Sequence, residues 1–230
     1  MKKLIVLTGA GISAESGLST FRDSGGLWEG HRVEDVASPD GWNRDPQKVL
    51  NFYNERRRQL LKAVPNQAHI ALAKFETEWD ISIITQNVDD LHERAGSTNV
   101  LHLHGELLSV CSTVNRQLKY NWTKDLKLGD IAEDGTQLRP DIVWFGEMVP
   151  NLVVAEKICH QADALLIVGT SLQVYPAAGL VYAIPNTCPI VYLDPMAESN
   201  FNTKANNQLK IISKKAVEGI EEAFEIIRYI

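Results

Sequence analysis

The sequence predicts an α/β fold, in which a parallel sheet carries helices on both faces and a small inserted module. Three observations predict it. Short β-branched apolar runs recur at 3–8, 81–85, 100–103, 142–144, 164–168 and 190–193. They are too continuous for half-solvated strands and suit a sheet buried on both sides. Helix-forming stretches at 46–63, 66–79, 151–161 and 218–228 alternate with them, as βαβ units require. One tract, from about 112 to 140, breaks the rhythm: it is polar, rich in Thr, Asn, Lys, Asp and Gly, and lacks a strong period.

Each element has its own warrant. The first strand, 3–8, is stopped by Gly9. An excursion from 24 to 65 follows, with Gly25-Gly26 and Pro39-Asp40-Gly41 as its loop sites. Within it, 46–63 opens on Pro46, whose missing N–H costs nothing in a first helical turn, and continues in good helix formers. Asn66 is placed to cap 66–79. A further helix is expected to start near Val88, with Asn87 as its cap. Tyr120, Trp122, Leu126, Leu128, Ile131 and Leu138 are expected to form a small core for the polar tract. The whole chain, 1–230, reads as a single domain, with about 24–65 and 106–140 forming the small module.

Composition narrows the function classes. At 230 residues, 44% hydrophobic and 23% charged, the chain is ordinary globular protein. A net charge of −6 argues against a nucleic-acid partner, because duplex binders present a basic face. No apolar stretch reaches the roughly 18–20 residues of a membrane helix, so no membrane partner is expected. The start resembles a signal peptide, but its apolar run is only about five residues before the glycine turn. Cys111, Cys159 and Cys188 are scattered and odd in number, so no disulfide framework is expected. A soluble protein of the reducing cytoplasm follows.

Directly after the first strand stands Gly9-Ala10-Gly11-Ile12-Ser13-Ala14, a Gly-x-Gly-x-x-Ala turn. The first glycine permits a tight turn, the second lets backbone approach a phosphate, and the small third residue allows helix-on-strand packing. Free amides at the following helix start would face a diphosphate. The turn is Rossmann-like, but Glu29 and Glu34 fall in loop-like sequence rather than at the end of a second strand, where a dehydrogenase holds its ribose. Hydride transfer therefore lacks support.

With four further stretches, the pattern resembles the sirtuin family. The glycine turn continues through Glu15-Ser16-Gly17 to Thr20-Phe21-Arg22. Thr85-Gln86-Asn87-Val88-Asp89, His102-Leu103-His104-Gly105, Pro140 through Glu147 and Gly169-Thr170-Ser171-Leu172 follow in the family's order. The resemblance implies a sirtuin-type catalytic domain binding NAD and an acylated lysine side chain in one cleft. It implies that Gly9, Ala10, Gly11, Ile12, Ser13 and Gly17 surround the phosphates, with Phe21 and Arg22 lining the site. Gln86 and Asn87 would contact the nicotinamide ribose and Asp89 the nicotinamide amide. Gly169, Thr170, Ser171, Asp194 and Ala216 would hold the adenosine half.

The implied reaction removes acyl groups from protein lysines. The acyl oxygen attacks the ribose carbon as nicotinamide leaves. His104, the catalytic base, then activates a ribose hydroxyl, and O-acyl-ADP-ribose results. Asn87 would steer the first step. Apart from the resemblance, His102 and His104 alternate on a strand and read as a metal pair or as core histidines. Val143, Phe145, Gly146 and Glu147 resemble the segment that pairs with substrate backbone as an added strand, and Trp144 reads as core. Tyr53 and Arg56 share a helix face. Their Tyr-x-x-Arg pattern resembles the subgroup that removes succinyl and malonyl groups, because guanidinium and hydroxyl together receive a carboxylate. Three successive arginines, 56–58, offer a solvated helix face as the alternative, and the resemblance favours the carboxylate receptor. The family's two Cys-x-x-Cys pairs are missing, and Cys111 stands alone in the module, so no zinc is expected. The alternatives are a mono-ADP-ribosyl transferase and a non-catalytic NAD or ADP-ribose sensor.

Overall fold

The computed structural model describes residues 1–20, 27–28, 30–197 and 208–230. A six-stranded parallel sheet forms its centre. Its strands are β1 (Lys3–Thr8), β4 (Asp80–Thr85), β5 (Val100–His102), β9 (Ala164–Val168), β10 (Ile190–Leu193) and β11 (Leu209–Ile212), in spatial order β11-β10-β9-β1-β4-β5. From β1 the chain first builds towards β5 and then returns to build β9, β10 and β11 on the other side. The order therefore reverses between β1 and β9, and such a reversal opens a crevice at the carboxyl ends of the strands.

Side-chain alternation along β1 explains the layers. Leu4 and Val6 face α4 (Gln67–Phe75) and α7 (Ala216–Arg228), where Leu72, Phe75, Ile220 and Phe224 complete one core. Phe75 and Phe224 stack at 4.0 Å between ring centroids. Ile5 and Leu7 face the other way, towards Ala155 and Cys159 of α6 (Leu152–Cys159) and Leu180 of a short 3-10 helix.

Between β1 and α4 lie a short hairpin, β2 (Leu27–Trp28) with β3 (His31–Arg32), and the helices α1 (Val33–Val36), α2 (Pro39–Arg44) and α3 (Pro46–Lys62). After β5 comes a three-stranded antiparallel sheet of β6 (Gly105–Ser112), β7 (Lys119–Asn121) and β8 (Leu138–Ile142), in the order β7-β6-β8. α3 packs on it through Val49, Phe52 and Tyr53 against Leu107, Ile142 and Trp144, and through Leu50 against Val110, Leu126 and Leu138.

Several expectations are corrected. No α-helix follows the glycine turn; two single-turn 3-10 helices do, Ala10–Ile12 and Ala14–Ser16. The run at 142–144 is not a strand of the parallel sheet. The strand there is β8, which ends at Ile142 and belongs to the antiparallel sheet. The aperiodic tract conceals β7 and β8, because their pairing rests on a few polar and aromatic residues. Leu128 and Ile131 are exposed rather than core, whereas Leu126 and Leu138 are buried, with Tyr120 and Trp122 packed beside them. Pro39-Asp40-Gly41 is no loop but the first turn of α2, capped by Ser38, whose Oγ accepts the Gly41 N–H at 2.9 Å. Asn87 caps nothing. The helix there is α5 (Leu91–Ala95), and the Asp89 carboxylate accepts the Leu91 N–H at 3.2 Å. Strand β11 was not anticipated from the sequence.

Candidate active site

The crevice is built where the glycine turn meets Gly169. The Gly9 N–H donates to the Val168 carbonyl at 3.1 Å and the Gly11 N–H to the Gly169 carbonyl at 2.8 Å. A side chain at Gly11 would meet Gly169 Cα at 2.7 Å, and one at Gly169 would meet Ile12 N at 2.3 Å. Gly169 has a φ of 62°, in the left-handed region that glycine enters without strain. These glycines are thus demanded first by backbone-on-backbone packing, which the phosphate argument did not include. Gly17 differs: its φ is 84°, and among the described residues a Cβ there would meet nothing within 4 Å.

Polar groups converge on this turn from the ends of β1, β4 and β9. Asn87 is buried, and its Nδ2 donates to the Gly9 carbonyl and to Ser13 Oγ, both at 3.2 Å. Ser13 Oγ donates to Asp89 Oδ2 at 3.0 Å. Burial raises the Asp89 carboxyl pKa, opposed by the hydrogen bonds from Leu91 and Ser13. Gln86 Nε2 donates to Thr170 Oγ1 at 3.0 Å, tying the β4 end to the β9 end. Asp194 is buried at the end of β10, where its Oδ1 accepts the Met196 N–H at 2.8 Å. Ala216 is buried at the first residue of α7. The next residue, Val217, donates its N–H to Glu15 Oε2 at 3.0 Å, which joins α7 to the glycine turn. Phe21 and Arg22 lie outside the described residues.

His104 stands at the rim. Its Nδ1 lies 3.0 Å from the Gln86 carbonyl, which can only accept, so Nδ1 carries the proton and Nε2 keeps the lone pair. Burial pulls its pKa below the ordinary histidine value, opposed by the Gln86 hydrogen bond. The two histidines do not alternate along one strand: β5 ends at His102 and β6 begins at Gly105. His102 instead bonds the Asn87 carbonyl at 3.0 Å and Glu93 Oε1 at 2.8 Å.

A second polar layer was missed. Asn66 caps α4 as expected, accepting the Ala68 N–H at 3.0 Å, but its Nδ2 also donates to the Ile12 carbonyl at 2.7 Å. His69, one turn on, lies with Nδ1 3.1 Å from Asn66 Oδ1 and Nε2 3.4 Å from Ser13 Oγ. Burial depresses its pKa to about 4. The Asn-x-x-His spacing at a helix start was the available signal, since it places both side chains on one face.

On α3, Tyr53 is fully buried and its hydroxyl oxygen accepts Trp144 Nε1–H at 3.1 Å. Burial raises its pKa. The Arg56 guanidinium stacks 4.4 Å over Trp28 and lines a cavity of about 490 Å³ with His31, Lys48, Asn51 and Phe52. Tyr53 does not line that cavity. The three arginines are not one solvated face. Arg57 is buried and donates to the Leu107 carbonyl and Asn54, while Arg58 reaches Asp125 at the surface.

The segment after β8 is firmly held. The Val143 N–H donates to the His104 carbonyl and the Phe145 N–H to the Ala37 carbonyl, both at 2.9 Å. A pairing strand would therefore meet carbonyls and Gly146 rather than those amides. The Glu147 side chain faces inward, accepting from Arg139, Arg116 and the Trp144 N–H. Arg139 stacks on Trp144, which is buried as expected. The module offers no zinc set among the described residues. Cys111 is fully buried, and burial pushes its thiol up to about 11, against thiolate formation.

Residues 9–176 match the Sir2 family profile. The chain belongs to the Sir2 family. A relative from Helicobacter pylori named "NAD-dependent protein deacylase" is 57% identical over 96% of this chain and 94% of its own length. One of the same name from Bacteroides thetaiotaomicron is 50% identical over 99% and 98%. Among solved structures, a Sir2 homologue–NAD complex aligns with a TM-score of 0.86 and 38% identity, covering 99% of this chain and 90% of that one. A Sir2 complex with p53 peptide and NAD+ aligns at 0.77 and 30%, covering 99% and 94%. As a Sir2-family chain, it carries its parallel sheet and glycine turn in the family's arrangement. Among the described residues, no helix is long and apolar enough to cross a membrane.

Proposed function

We propose that this chain is an NAD-dependent protein-lysine deacylase, with His104 as the proton acceptor. The single observation that carries this is the setting of His104. Its Nδ1–H is held on the Gln86 carbonyl and its Nε2 is left basic, beside a buried Asn87-Ser13-Asp89 cluster at the sheet's reversal point. The relatives' names and the NAD-bound structures support the same reading.

The residues fit the dinucleotide. The Gly9–Gly17 turn would take the diphosphate, Gln86 and Asn87 the nicotinamide ribose, and Asp89 the nicotinamide amide. Gly169, Thr170, Ser171, Asp194 and Ala216 would take the adenosine half. The dinucleotide supplies the ribose carbon that accepts the acyl oxygen. Asn87 orients that sugar, and His104 takes the proton of the hydroxyl that captures the acyl group. General-base help of this kind is worth roughly 10²–10⁴-fold. About 24–65 and 106–140 form the small module that closes the acyl side, as the packing of α3 on β6 and β8 supports.

Acylated lysine side chains are the partner, and a carboxylate-bearing acyl chain is among the substrates. Arg56, lining the cavity beside α3, supplies the fixed positive charge for that carboxylate; Tyr53, buried against Trp144, lies outside that cavity. Three buried cysteines, none of them in a disulfide, suit a reducing cytoplasmic setting.

Mass spectrometry of an acyl-lysine peptide incubated with the protein and NAD tests the reading. Loss of the acyl mass from the peptide is the expected result. Gain of an ADP-ribose mass would mean transfer instead, and an unchanged peptide with NAD merely bound would mean a sensor.

A further inference from the structure

We propose that His102, paired with Glu93, is a positioning residue for the deacylation, pinning the Gln86-Asn87 peptide on which the reaction depends. The inference rests on the roles of His104 and Asn87 given above.

The geometry carries it. His102 is buried, with Nδ1 3.0 Å from the Asn87 carbonyl and Nε2 2.8 Å from Glu93 Oε1. A carbonyl can only accept, and so can an ionised carboxylate, so both ring nitrogens carry hydrogen and the ring is an imidazolium. The preceding carbonyl in the chain, that of Gln86, takes the His104 Nδ1–H. Two histidines two residues apart thus grip two consecutive carbonyls. On its far side Asn87 is fixed to the glycine turn through Nδ2. Without His102 the peptide group of Asn87 loses its only described ring donor. A histidine that merely filled space would not place both nitrogens on charged or polar acceptors.

The groups facing the ring are Glu93 from α5, Asp89 from the turn before it and Glu106 from β6; His92 adds a neutral ring. Asn151, the N-cap residue of α6, donates its Nδ2–H to the His102 carbonyl at 2.8 Å. Burial disfavours the cation, but the Glu93 hydrogen bond and charge outweigh it and hold the His102 pKa above the ordinary value. The clamp is therefore present below that raised pKa and is lost as pH rises through it. Its limb is opposite in sign to that of His104, which gains activity on deprotonation.

The test is steady-state kinetics of the full chain with an acetyl-lysine peptide and NAD across a pH series. Wild-type turnover comes first, and its absence would refute the deacylase reading rather than this inference. His102→Phe should lower kcat about tenfold or more, since small misplacements cost up to about 10²-fold, with KM for peptide and NAD little changed. His102→Asn keeps a donor towards the Asn87 carbonyl; it should recover most of kcat and show no alkaline limb from this position. Glu93→Gln should move the alkaline limb to lower pH. A His102→Phe enzyme with wild-type kcat would overturn the proposal. If that variant does not fold, a Glu93→Gln enzyme whose pH profile coincides with wild type overturns it equally.

Discussion

At the residue scale, the chemistry depends on a few side chains whose protonation is set by burial and by backbone partners. His104 gains its basic Nε2 from one carbonyl bond. His104→Ala should cost at least about 10²-fold in kcat, read as nicotinamide release under saturating NAD. Because burial holds the His104 pKa below the ordinary value, the base form prevails at neutral pH, and rate should fall only as pH drops below about 6.5. His69 makes a separate prediction about stability. Its pKa falls from 6.5 to about 4 on folding, so the unfolded chain binds the proton first as pH falls. The stability it contributes is full above pH 6.5 and is lost as pH falls through the window down to about 4; a Tm series over that range, flattened in His69→Asn, checks it. Arg56→Met should depress desuccinylation far more than deacetylation, measured on matched peptides, whereas equal losses would make Arg56 structural. The sequence did not disclose these settings. That Asn87 bonds Gly9 and Ser13, and that the His102 ring spans Asn87 and Glu93, depend on contacts between segments far apart in the chain. Local spacing suggested a helix cap for Asn87 and a shared strand face for the two histidines, and neither formed.

At the element scale, legibility followed hydrophobic periodicity. The strands β1, β9 and β10 were read to the residue because they are unbroken β-branched runs buried on both faces. α3 and α4 were legible from Pro46 and Asn66 at their starts. The antiparallel strands β6, β7 and β8 were not, because one face of each carries polar residues and their register is set by the module's own contacts. A hydrogen-bond hub holds that region where a metal was not expected. Buried Ser112 donates to Asp134 Oδ2 at 2.6 Å and accepts the Val114 and Asn115 N–H groups at 3.1 and 2.9 Å. Ser112→Ala removes these bonds together with the one to Thr136 Oγ1 at 2.8 Å, and urea unfolding should show a loss of about 1–3 kcal/mol. The glycine turn makes a sharper prediction. Gly169→Ala brings a methyl to 2.3 Å from Ile12 N at a φ of 62°. It should abolish NAD binding by calorimetry or prevent folding altogether, and a normally binding Gly169→Ala protein would contradict the packing described for the crevice.

For the molecule as a whole, the reversal of strand order between β1 and β9 opens a crevice at the strand ends, which under the proposed function receives the cofactor, with the small module setting what meets it there. The module's ionic cluster joins both tasks. Arg116 bridges buried Asp141 and Glu147, and Arg139 holds Glu147 at 2.6 Å, so the loop between β6 and β7, strand β8 and the segment carrying Phe145 and Gly146 are one unit. Since Cys111 is buried as a thiol, purified protein should hold far less than stoichiometric zinc by elemental analysis, and chelation should leave its Tm unchanged. The central claim is tested most directly by stoichiometry: nicotinamide released against lysine freed, with acetyl-, malonyl- and succinyl-lysine peptides in turn. One nicotinamide for each lysine uncovered, and none without acylated peptide, is the predicted result. Acyl removal without NAD, or no nicotinamide with any of the three peptides, would contradict it.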